Sequence, residues 1–224
     1  MSVWLLLIGV LAVSGAIFIG VSWVWTSPLT AGRRIRESAA RKVVGKKLWG
    51  RVLGNMVMSM ALVFTLTYLA YPWLIDETAS ASLGGLAHAV VILLVYDLFY
   101  YFLHRKAFHG VSWLKRVHAV HHVVRSPTAL ESLYLHPVET FLGQALLTIV
   151  ACVLGPVAPA TYAVILLVHS TLNILVHAGL DLPFFPFRAL SYLARKHATH
   201  HVSMRAGNYA SLTPLWDLLF GTAE

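Results

Sequence analysis

Apolar and polar positions in this chain are separated into long blocks instead of alternating, and the blocks set the elements. No charged side chain occurs between Met1 and Gly32, and Val3 to Trp25 alone exceeds the roughly 20 residues that cross a bilayer. This predicts a first spanning helix. A cleaved signal peptide fits less well, because no Lys or Arg precedes the run and the run is long for a signal's apolar segment. A second charge-free run extends from Val52 to Ile75, with Pro72, Asp76 and Glu77 marking its stop. A third begins near Ala81 and ends at Leu103. Phe141 to Leu154 and Ala160 to Val176 flank the sequence Gly-Pro-Val-Ala-Pro, residues 155–159, which marks a tight helical hairpin. Its arms are short, which predicts tilt, a kink or partial spanning.

Composition places these helices in a membrane. Of 224 residues 58% are hydrophobic and 12% charged, with a mean hydropathy of +0.72, whereas about a quarter of a soluble domain is charged. In lipid every exposed backbone group needs an internal partner, so helices or a closed barrel remain, and long apolar runs favour helices. The predicted fold is therefore an all-α polytopic bundle of four to five membrane helices, one membrane-embedded domain over residues 1–224. No internal repeat, linker or low-complexity segment interrupts it.

The net charge of +8 does not require a nucleic-acid partner. Eight of the seventeen basic residues lie between Arg33 and Arg51, between two apolar runs, as expected of a juxtamembrane loop. With that loop in the cytoplasm, counting crossings puts Asp76 and Glu77 outside. His104 and everything from His177 onward then fall on the cytoplasmic side. The dense histidine clusters thus meet at one membrane face. Cys152, the single cysteine, sits in an apolar run, which leaves neither a disulfide framework nor a thiolate cluster.

Twelve histidines are the anomaly, since imidazole is costly in hydrocarbon and is the commonest metal ligand. His104 and His109 bracket Arg-Lys-Ala-Phe. His118, His121 and His122 form one H-x-x-H-H, and His197, His200 and His201 form another. On a helix such spacing presents three imidazoles in one direction, so two such faces are able to enclose two metals. His104 and His109, five apart, are about 140° out of register on an ideal helix, so a helix end is expected between them. Isolated His88 reads as a packed histidine. Structural zinc wants about four ligands with sulfur common among them, and HExxH is absent. Imidazole alone leaves iron, copper and zinc open.

Asp97 to His122, His136-Pro-Val-Glu139, His177, Lys196 to His201, Gly207-Asn-Tyr209 and Leu215-Trp-Asp-Leu-Leu-Phe-Gly-Thr222 resemble the fatty acid hydroxylase and sterol desaturase superfamily. The resemblance covers roughly Val90 to Thr222. It implies a catalytic region over 85–222, preceded by N-terminal membrane helices and a basic loop over 1–84, with the histidines on a helical cytoplasmic cap. It further implies a non-haem di-iron enzyme that hydroxylates or desaturates a fatty acyl chain, sphingolipid or sterol. The cofactor would be two iron ions, with zinc able to stand in. The ligands carried over are His104, His109, His118, His121, His122, His197, His200 and His201, with His177 as the additional family histidine. Two positions depart from the family pattern: Asn173 stands where some hydroxylases have a further histidine, and Ala210 follows Asn208-Tyr209 where glycine is usual.

The chemistry is coherent with the residues. O₂ activation needs a redox metal with open positions, and two ions at the usual spacing of about 3.5–4 Å share the electrons. The chain carries no Gly-rich dinucleotide fingerprint, so electrons are expected from a separate reductase, ferredoxin or cytochrome b5-like protein. Asp97, seven residues before His104, is expected to orient a ligand, with an interfacial pair to an Arg as the plain alternative. Asp217 is divided between that role and a solvated chain end. His169, Asn173 and His177 share one helix face, and His169, about 12 Å deeper, is expected to bond within the bundle or line the substrate cavity. His136 either contacts the outer shell or starts the hairpin ahead of Pro137. Asn208 and Tyr209 complete the second-shell set. Glu131 and Glu139 are expected to pair with Arg125 or Lys106. The basic residues around the boxes, Arg105, Lys106, Lys115, Arg116, Arg188, Arg195, Lys196 and Arg205, read as a face toward anionic headgroups where an acidic donor docks. Two rival readings are a non-enzymatic metal transporter or sensor, which would want more polar residues along the helices, and a bis-His haem protein, which does not call for paired H-x-x-H-H boxes.

Overall fold

The computed structural model describes residues 2–35 and 43–224. Arg36, Arg41 and Lys42 of the basic loop lie outside the described residues. The described chain is all-helical. Helices α1 (Val3–Thr26), α2 (Gly45–Leu74), α3 (Leu83–Phe102), α5 (Pro137–Leu154) and α6 (Pro159–Val176) are apolar and long enough to cross a membrane, α3 together with the turn to Phe108 that continues it. The chain is an integral, multi-pass membrane protein. Short helices α4 (Ser112–His118), α7 (Arg188–His200) and α8 (Leu215–Leu219) lie between and after them.

Helix boundaries follow local chemistry. Ser2 and Ser82 cap α1 and α3 through their hydroxyls, and Pro137 and Pro159 open the hairpin arms at positions where no donor is lost. α2 begins earlier than its apolar run, so Lys46, Lys47 and Arg51 occupy its first turns instead of a loop. It also runs through Pro72, which lies in its last turn and does not stop it there. The hairpin arms have 18 residues each, about 27 Å at 1.5 Å per residue, just under the hydrocarbon thickness of about 30 Å.

α1 packs on α6, where Ser14 and Ser170 share a hydrogen bond of 2.8 Å, and α3 lies against both hairpin arms. Two backbone ties fix the ends. At one end, Val157 in the hairpin turn pairs with Leu74 and Asp76 beside the α2–α3 connection. At the other, Ile35 and Arg33 after α1 pair with Gly179 and Asp181 after α6. The ends of α1, α3 and α6 and the starts of α2 and α5 therefore gather at one side of the bundle. There the histidines collect.

Candidate metal centre

The helix does end between His104 and His109, at Phe108 with His109 as its cap, but not as a plain α-helix. It passes into a π turn over Leu103–Phe108, and the His109 amide bonds the His104 carbonyl at 3.0 Å, an i→i+5 bond. Such a turn brings residues five apart to one side, whereas an α-helix would splay them. His104 and His109 thereby join the same cluster.

Nine histidines form two groups. His104, His109, His118, His122 and His200 make the first, and His121, His177, His197 and His201 the second, with ligand atoms in each lying within 4.8 Å of one another. Each H-x-x-H-H is divided, contrary to the expectation of one common direction. Its first and last residues enter one group and its fourth enters the other. His118 and His122 lie apart from His121, and His197 and His201 lie apart from His200. The cause is angular. Adjacent helical positions differ by about 100°, so neighbouring histidines turn to different centres. Box two is also not one helix: α4 ends at His118 and a 3₁₀ turn resumes at His121. His88 belongs to neither group.

Outward hydrogen bonds set the tautomers. The Nδ1–H groups of His104, His109 and His200 donate to the carbonyls of Tyr209, Met204 and Gly207 at 2.7–2.8 Å. His177 and His201 likewise donate to Asn173 and Val124. His118 donates to the Glu139 carboxylate at 2.8 Å. A ring that donates from Nδ1 presents a lone pair at Nε2. Yet Nε2 of His104 lies 2.9 Å from Nε2 of His118. With both Nδ1 atoms engaged outward, so close an approach of the two Nε2 atoms suits a shared cation, a metal ion or a proton. Nε2 of His109 is also buried without a partner. Elsewhere Nε2 atoms approach to 2.7–3.2 Å, close to the separation of about 2.9 Å between donors at right angles around an ion with metal–nitrogen bonds of about 2.0–2.1 Å. The donor set fits metal.

Burial reinforces that state. It pushes His109 and His177 down to about 4. It also depresses His121, His122, His197, His200 and His201 well below the usual imidazole range, with neighbouring rings adding to the effect. Neutral imidazole is the form that binds metal.

Several outer residues have roles that the sequence did not assign. Among the described residues Asp97 bonds no histidine and no arginine. Its fully buried carboxylate accepts the amides of Ser211, Leu212 and Thr213 and the Thr213 hydroxyl at 2.8–3.0 Å. Asp217 is not a solvated end residue either. It accepts the Tyr209 and Ala210 amides and pairs with Lys196 at 2.7 Å. Between them the two acids hold the loop whose Tyr209 carbonyl orients His104. Lys196 is thus buried, not part of a headgroup-facing patch. Asn208 takes a positive φ of 62° and bonds the Lys196 and Glu224 carbonyls, while the Tyr209 ring packs on His104, His109 and His200. Because φ is positive at Asn208 and not at Ala210, no glycine is required after Tyr209.

His136 caps α5, its Nδ1 accepting the Val138 amide at 3.2 Å, which starts the hairpin ahead of Pro137. Glu139 takes His118 instead of Arg125 or Lys106, and Glu131 closes a capping box with Thr128. Sequence reading missed Glu139 as a partner of the centre. The available signal was an acid two residues after Pro137, inside the first turn of an otherwise charge-free helix. His169 bonds the Tyr96 hydroxyl at 3.0 Å and lines a cavity of about 110 Å³ that reaches both histidine groups, as its helix face suggested. Asn173 lines the same cavity.

Residues 89–222 match the fatty acid hydroxylase family. The chain belongs to the fatty acid hydroxylase and sterol desaturase superfamily. It is 34% identical over 144 residues to methylsterol monooxygenase 1 of Rattus norvegicus, covering 61% of this chain and 46% of the relative. It is 31% identical over 161 residues to a putative methylsterol monooxygenase of Dictyostelium discoideum, covering 67% and 57%. A very-long-chain aldehyde decarbonylase of Oryza sativa subsp. indica is 35% identical over 136 residues, covering 56% and 48%. The chain spans about half the length of the curated relatives it matches. No solved structure matches it.

Proposed function

We propose that this superfamily member is a di-iron lipid oxygenase. His104, His109, His118, His122 and His200 would hold one ion, and His121, His177, His197 and His201 the other. The observation that carries the reading is the pair of facing Nε2 lone pairs on His104 and His118 within a wholly nitrogen donor set. Iron is favoured over structural zinc, which uses about four ligands with sulfur common among them. Five and four donors also leave positions open for reaction at each ion. Relatives named methylsterol monooxygenase favour a methyl-bearing, sterol-like substrate and hydroxylation over desaturation.

The balance is R–H plus O₂, two electrons and two protons giving R–OH and water. Bound iron supplies the redox chemistry that splits O₂. The chain supplies the rest. Outward carbonyls and Glu139 orient six of the nine rings, burial keeps His109, His121, His122, His177, His197, His200 and His201 neutral, and the surrounding helices exclude water. The cavity brings substrate against both groups. The centre lies on the cytoplasmic side, consistent with the basic residues gathered at that end, and its electrons come from a separate donor protein.

The test is metal analysis of the full chain purified from membranes, with mass spectrometry of total lipids from cells with and without it. About two irons per chain and a product heavier by one oxygen are expected. His121→Ala and His200→Ala should each abolish the product while the protein still inserts. Full activity in both variants would refute the assignment.

A further inference from the structure

The cavity against the histidine groups is not the plain apolar tunnel expected for a hydrocarbon chain. Three helices each bring a polar ladder into it: Tyr96 and Tyr100 below His104 on α3, His169 and Asn173 below His177 on α6, and Gln144 below Glu139 on α5. Steps of four residues on α3 and α6 set Tyr100 and Asn173 about 6 Å deeper than His104 and His177, and Gln144 is about 8 Å deeper than Glu139. The polar groups therefore form a tier roughly one helical turn inside the bundle from the metal centre.

Part of that tier has no protein partner. Tyr96 and His169 bond one another. By contrast, Gln144 Oε1 is buried with no partner, and among the described residues nothing bonds the Tyr100 hydroxyl or the Asn173 side-chain amide. Polar groups in a membrane bundle are expensive, and buried ones almost always have a partner. One buried orphan, Gln144 Oε1, beside two further unpartnered polar groups lining the same cavity makes a binding surface. Its chemistry is selective, because hydroxyl and amide groups both donate and accept. Among the described residues no Lys or Arg lines the cavity and Glu139 does, so a carboxylate or phosphate would find no cation there. The cavity of about 110 Å³ is several times the roughly 10–15 Å³ that one water needs, room enough for a substrate group beside the histidines.

We infer that Tyr100, Gln144 and Asn173 form a hydrogen-bonding subsite for a neutral hydroxyl or carbonyl group of the substrate, which fixes the carbon to be oxidised within a few bonds of that group. This rests on the lipid-oxidation reading and narrows it. The substrate class is an uncharged, oxygen-bearing lipid, and free fatty acids and the middle of an unfunctionalised chain are disfavoured.

The experiment uses the full metal-loaded chain in nanodiscs and two tritiated probes, a 4-methyl sterol with a 3-hydroxyl and its 3-deoxy counterpart. Wild type should bind the alcohol about tenfold more tightly than the deoxy compound, the size of a hydrogen-bonded pair lost from a buried site. Tyr100→Phe and Gln144→Met each remove a polar atom with little change of shape. Each should lower affinity for the alcohol and leave the deoxy compound unchanged. Equal binding of both probes by wild type would overturn the subsite. So would variants that weaken both alike, or that leave binding of both intact while slowing turnover, the mark of a water-filled proton route. Selective binding without oxidation of either probe under O₂ and reductant would support the subsite and refute the oxygenase reading. Oxidation without selectivity would do the reverse.

Discussion

The two histidine groups differ in how firmly the protein holds them. In the first, four of five rings have an outward acceptor, and one of those acceptors is the Glu139 carboxylate. In the second, two of four are held, both by backbone carbonyls. Nδ1 of His121 is buried without a partner. Outer partners fix ring orientation and raise ligand basicity. On the proposed reading the first group would therefore be the tighter site, although Nδ1 of His122 is also buried without a partner. The second would be the more labile, and it is the one assembled from the hairpin arm and α7 together.

Removing one donor from each group should expose that difference most strongly. His109→Ala leaves four donors, as many as the second group has natively, so the ion should remain bound. His197→Ala leaves three, and its ion should be lost. Metal counts after desalting should differ by about one ion per chain, with lipid oxidation in His197→Ala falling beyond the roughly 100-fold range of outer-shell changes. The reverse order of metal loss would show that donor count and outer bonds do not rank the sites. A smaller effect isolates the carboxylate. Glu139→Gln keeps an acceptor but removes the charge, and should weaken the first site by about 10–100-fold in chelator competition while the second keeps its affinity.

Much of this arrangement can be read from the chain, and the parts that cannot have a common reason. Apolar runs revealed all five long helices, and the two H-x-x-H-H boxes marked six of the nine histidines that converge, His104, His109 and His177 lying outside them. What stayed hidden depends on backbone detail. A π turn decides that His104 and His109 face one centre, and no side-chain pattern announces it. The division of each box between two centres comes from the angular step between its neighbouring histidines and, in the first box alone, from a helix that stops at His118. Asp97 and Asp217 were visible as acids in apolar surroundings, but their partners are main-chain amides over a hundred residues or only a few residues away. Residue type says nothing about such amides.

Protonation acts on both groups in one window. His109 and His177, one from each, are held at about 4, against a usual value near 6.5. The unfolded chain therefore binds more protons between these values, and stability rises with pH there. Metal-free protein should lose stability as pH falls from about 6.5 to about 4, and lose no more from these two rings below that. Thermal melting of the metal-free full chain across pH 3.5–8 checks this. A melting temperature that rises on acidification would contradict the burial of neutral rings. Replacing His109 or His177 by Phe should flatten the slope by similar amounts, because the two groups do not differ in this respect.

The smallest effect is expected at Ala210, next to the loop that serves only the first group. Asn208 already carries the positive φ, and the amide of residue 210 reaches Asp217 whatever its side chain. Ala210→Gly should therefore leave metal content unchanged. It removes a buried methyl and frees the unfolded backbone, together a loss of about 1 kcal/mol or somewhat more in chemical denaturation. If the glycine variant instead bound metal more tightly at the first site, the loop would be strained by alanine after all. The firmness ascribed to that site through the Tyr209 carbonyl would then be incomplete.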